Sequence, residues 1–172
     1  MFSWFRKRRD GEFFDLMRAA AEGDRAARLR SAFSTVGVER NSQNDDDDDI
    51  LIAEAACALL RAVKRSALSV ADATKSQYVD GLFIIVFANH FSYVLARPFE
   101  KASLGALILF FSSNTDPAFF PYIIREYNRH SASDQKAVTI VGEMCVKWSN
   151  SPTAENVALL SKAYQVLCDH IT

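Results

Sequence analysis

The chain has 172 residues, of which 49% are hydrophobic and 24% charged, the size and composition of one globular domain. That excludes an intrinsically disordered chain, and it excludes a miniature that needs metals or disulfides to hold a core. A formal net charge of −1 supplies no whole-molecule field toward nucleic acid.

The charge is unevenly spread. Eight basic residues face five acidic ones over residues 1–30, whereas residues 39–54 carry seven acidic residues against Arg40 alone. Met1 to Arg9 (MFSWFRKRR) joins Phe2, Trp4 and Phe5 to Arg6, Lys7, Arg8 and Arg9. Aromatic rings favour the headgroup boundary and adjacent cations favour anionic lipid, so this segment is the expected membrane or partner contact. Asp10, Gly11 and Glu12 stand where a secretory signal would have its apolar core, so the expected location is cytoplasmic, with membrane association through residues 1–10.

A first helix is predicted from Glu12 to Phe33, with Phe13, Leu16, Met17 and Ala20 on one face. Residues 34–44 lack a period, and a flexible acidic loop is expected around residues 34–49. The next helix starts within the aspartate run and reaches about Arg65, carrying Ile52, Ala56, Leu59, Leu60 and Val63 as one stripe. Asp45, Asp46, Asp47, Asp48 and Asp49 lack the alternating spacing and the glycine of a calcium loop. They read as solvated carboxylates near a positive helix end, or as the contact for a basic partner.

A third helix, capped by Ser69 or Asp72, runs to about Ala96. Its stripe includes Phe83, Phe87, His90 and Phe91, while Ile84, Ile85 and Ala88 make the other side apolar too, the pattern of a central helix. Phe83 to Phe87 also suits a buried strand, but the length of the pattern favours helix. Gly81 to Ala96, closed by Asp80 and Arg97, is 16 residues and too short to span a bilayer. Pro98 opens a fourth helix, and a short fifth follows Pro117 or Pro121. A sixth covers Asp134 to Trp148; the last has Ser151 as its cap, Pro152 at its first position, and Val157, Leu160, Tyr164 and Leu167 on one face.

The fold class is therefore all-α: a single-domain antiparallel or orthogonal bundle of about six to seven helices over residues 11–172. Cys57, Cys145 and Cys168 have neither zinc nor redox spacing and read as buried hydrophobes. No phosphate-binding glycine loop, nucleophile elbow or metalloprotease motif occurs, and no cofactor or metal is expected. Arg61, Lys64 and Arg65 adjoin the aspartate run, whose field repels phosphate, so no nucleic acid is expected. His90 reads as a buried histidine bonded by Asp80 or Asn89.

The leading expectation is a noncatalytic domain that binds another protein, held at the cytoplasmic membrane face by its N-terminus. A second is an immunity or inhibitor protein that turns Asp45 to Asp49 toward a basic partner. A third is a small-molecule binder or helical enzyme with a pocket among Phe83, Phe87, His90, Phe91 and Phe111. The final helix's stripe would equally serve a homo-oligomer.

Overall fold

The structure, a computed structural model, describes residues 21–39, 45–67, 73–111, 121, 125 and 135–170. Residues 1–20, with Phe2 to Arg9, and most of the expected fifth helix lie outside the described residues. Among the described residues the architecture is all-helical, as expected. Six helices pack together: α1 over residues 21–35, α2 (Asp45–Ser66), α3 (Ala73–Val94), α4 (Phe99–Phe111), α5 (Gln135–Asn150) and α6 (Ala154–His170).

α3 is the central helix because its sequence leaves it no wet face through the middle. Val79 to Ala88 are all buried, except for Gly81 all of them side-chain-bearing, and Phe83 to Phe87 form helix rather than strand. α3 packs against α2, α4, α5 and α6, and Phe33 of α1 meets Phe91 edge-to-face at 4.9 Å. Phe83 contacts Tyr164 of α6 in the same manner at 5.3 Å, and Phe91 lies 6.1 Å from Trp148 of α5. Each of these rings is fully buried, so one aromatic core ties four helices together.

α2 and α4 flank α3 and run in the same direction, as the rising pairs Asp49–Arg97, Cys57–Ala106 and Lys64–Phe110 show. Small residues set their crossing. A Cβ added at Gly105 would meet Ala53 Cβ at 3.8 Å, and the Cys57 thiol donates to the Ala106 carbonyl at 3.4 Å.

Two helices end in the same hydrogen-bond pattern with different residues at its left-handed position. In α1, Val38 N donates to Phe33 O and Gly37 N to Ser34 O, with Gly37 at φ 83°. In α3, Arg97 N donates to Ser92 O and Ala96 N to Tyr93 O, with Ala96 at φ 53°. Glycine takes this conformation freely; alanine takes it at a cost. The turn at Ala96 sends Arg97 back toward Asp49.

Two local expectations need correction. The cap of α6 is Thr153 rather than Ser151. Thr153 O accepts from Val157 N, and its hydroxyl oxygen accepts from Asn156 N at 3.3 Å, which places Pro152 before the cap instead of at the first helical position. The helix does begin within the aspartate run, at Asp45, so the acidic loop ends before residue 45 rather than at 49, and part of the run is not solvated. Asp48 and Asp49 are buried because cations from other elements meet them. Arg30 Nη2 lies 2.9 Å from Asp48, while Lys101 Nζ and Arg97 Nε lie 3.0 and 3.4 Å from Asp49. Those pairs clasp α1, α2 and α4 at one end of the bundle.

Candidate functional site

α3 carries polar side chains at both ends of its buried stretch. Near its start, Asp80 is 3% exposed and accepts from Lys64 Nζ of α2 at 2.6 Å and from Tyr164 Oη of α6 at 2.7 Å. Both carboxylate oxygens are used, and three helices meet on one charge. Next to it, the Ser161 hydroxyl donates to the Val63 carbonyl at 2.8 Å, and burial pushes the Cys168 thiol up from its ordinary value. This cluster is closed.

Near the other end of α3, His90 Nε2 lies 3.0 Å from Ser149 Oγ of α5. The partner is therefore neither Asp80, ten residues away along the helix, nor Asn89, on a different face. The Ser149 hydroxyl also lies 2.9 Å from the Val146 carbonyl and has one proton to give. With that proton on Val146 O, the imidazole donates from Nε2 and Ser149 accepts. Burial pushes His90 down to about 4, so the ring is neutral at pH 7. A serine that spends its proton on a backbone carbonyl is not poised for attack, and among the described residues no carboxylate orients the ring.

His90 does border open space. A cleft of about 280 Å³ is lined by Arg25 and Leu29 of α1, His90, Tyr93 and Val94 of α3, and Val146, Ser149 and Asn150 of α5. A second, of about 340 Å³, continues along the α3–α5 seam past Val86, Asn89, Val138 and Gly142. The two share His90, Tyr93 and Val146, so they form one groove. Tyr93 is 79% exposed and lines both halves. Val146 is 41% exposed on the facing wall.

The sequence-predicted site residues separate. Phe83, Phe87 and Phe91 fill the core and are fully buried; Phe111 is half-buried at the end of α4, edge-to-face with Phe110 at 5.2 Å. His90 alone of those five lines the groove, and it does so with Tyr93, Val146 and Arg25, which periodicity did not single out. Of the aspartates, Asp48 and Asp49 face inward against Arg30, Arg97 and Lys101, which takes two charges from any surface offered to a basic partner. The Asp80 cluster also went unforeseen. Its signal was Asp80, the one carboxylate of α3, standing directly before the all-round apolar run from Gly81 to Ala88.

Burial holds the thiols protonated, with Cys57 pushed up to about 12 and Cys145 higher still. Among the described residues no group of three His, Cys, Asp or Glu is placed to hold a metal ion, and no helix is long and apolar enough to cross a membrane. No family model, curated protein or solved structure matches the chain.

Proposed function

We propose that this chain is a noncatalytic helical domain that works by binding another protein in the α1/α3/α5 groove. The observation that carries the reading is Tyr93, a large aromatic left 79% exposed over a groove walled by Val86, Val94, Val138 and Val146. Tyrosine and arginine dominate binding energy at protein interfaces, since each brings area and a polar tip. The neutral His90–Ser149 pair gives the groove a polar floor without a nucleophile. Affinity capture with the tagged full chain, run beside Tyr93→Glu, tests this. At least one captured protein should be lost from the variant while its circular dichroism stays unchanged. Identical capture by both proteins would overturn the reading.

The N-terminal MFSWFRKRR favours a second element, peripheral attachment at an anionic cytoplasmic surface. Each basic residue near such a surface adds about 1 kcal/mol, so binding should be weak and salt-sensitive. Vesicle co-sedimentation of the full chain should fall when Arg6, Lys7, Arg8 and Arg9 are changed to serine. Equal sedimentation of both proteins at low salt would remove the membrane from the account.

A further inference from the structure

We infer that the partner segment seated in this groove is acidic as well as apolar, with a carboxylate that meets Arg25 beside the side chain that packs on Tyr93. The inference rests on the protein-binding reading and adds the chemistry of the partner. Its basis is how the cations around α1 and the α3–α4 turn are spent. Arg28 is paired with Asp24 at 2.9 Å, Arg30 with Asp48 at 2.9 Å, and Arg97 with Asp49 at 3.4 Å. Arg25 meets no carboxylate among the described residues, although it lines the cleft under Tyr93.

The surroundings of Arg25 define what fits. Leu29, Val94 and Val146 give an apolar wall to the half of the groove that holds Arg25, whose volume of about 280 Å³ has room for a large side chain. His90 is neutral and Ser149 is bonded within the protein, so neither supplies a charge to compete with the guanidinium. Asn150 Nδ2 donates to the Val146 carbonyl at 3.0 Å, leaving its own carbonyl oxygen for a backbone N–H of the incoming segment. An aliphatic or aromatic residue next to Asp or Glu satisfies all of these. A basic segment would set like charges together at Arg25.

Selection of a random displayed peptide library on the full chain, with counter-selection on Tyr93→Glu, tests the inference. The enriched peptides should pair an apolar residue with an adjacent Asp or Glu. A synthetic peptide of that consensus should bind about tenfold more weakly to Arg25→Glu, where the reversed charge repels its carboxylate. Arg25→Lys should stay within about threefold of the wild type, since an exposed pair depends on charge more than on shape. Binding should also weaken as salt is raised. Enrichment of basic or purely apolar peptides, no enrichment, or indifference to Arg25→Glu would each overturn the inference. Loss of a captured protein from Tyr93→Glu together with a basic consensus would sink this inference and leave the protein-binding reading standing.

Discussion

The two polar ends of α3 are built from similar parts and come out differently. At Asp80 a charged group is enclosed, 3% exposed, with both its oxygens bonded. At His90 the group is neutral, holds one partner, and borders a groove with an exposed tyrosine on its rim. A buried charge must be fully paired to be tolerated, so the Asp80 end is committed to joining helices. A neutral, singly bonded ring imposes no such closure, and the seam beside it is where the proposed partner would sit.

The largest expected effect falls on the closed end. Asp80→Ala strips the acceptor from Tyr164 and the counter-charge from Lys64, and should lower unfolding stability by about 3 kcal/mol in urea titrations. A loss under about 1 kcal/mol would mean that the cluster is not the clasp described, and would weaken the contrast between the two ends.

His90 sets the pH behaviour of the open end. The folded ring stays neutral until the pH nears about 4, whereas in the unfolded chain it takes up a proton near 6.5. Its contribution is complete above pH 6.5 and is lost as the pH falls toward 4, in total about 3 kcal/mol. Urea midpoints compared at pH 7 and 4.5 should therefore drop further for the wild type than for His90→Gln. Parallel declines would show that the ring is open to water, and that Ser149 does not hold it as described.

Two smaller changes sharpen the comparison. Ala96→Gly should stabilise the fold by about 0.5–1 kcal/mol, because glycine accepts the left-handed conformation that alanine holds under strain. Tyr93→Ala should move thermal stability by less than about 0.5 kcal/mol, since a ring that is 79% exposed leaves little cavity behind. A large loss there would make Tyr93 a structural residue and remove the basis for a binding role.

Much of the fold was legible from apolar periodicity. The stripe Ile52, Leu59, Leu60 and Val63 is buried in α2, and the all-round apolar stretch of α3 sits at the centre of the bundle. The errors came where a residue's role is decided by a distant partner. Asp48 and Asp49 looked solvated because a run of like charges repels itself, yet Arg30, Arg97 and Lys101, from elsewhere in the chain, neutralise two of its members. Thr153 displaced Ser151 as the cap because the first intrahelical bond forms at Val157 N, a matter of one turn that spacing does not resolve. For the site, His90 was singled out as part of an aromatic stripe, but that stripe turned out to be core. Tyr93 lies three residues further along α3 and only the placement of α5 shows that it stays exposed.

The exposed apolar residues of α4, Leu104, Ile108 and Leu109, are the competing surface, each about half exposed, with Leu109 bordering a separate cleft of about 540 Å³ beside Glu54, Arg61 and Arg65. The most direct measurement is therefore in-cell photo-cross-linking with the reactive residue placed at Tyr93 in one protein and at Ile108 in another. A discrete protein adduct should form from position 93, diminished by Arg25→Glu, and none from position 108. An adduct from position 108 with none from position 93 would contradict the groove reading and move the interface to α4.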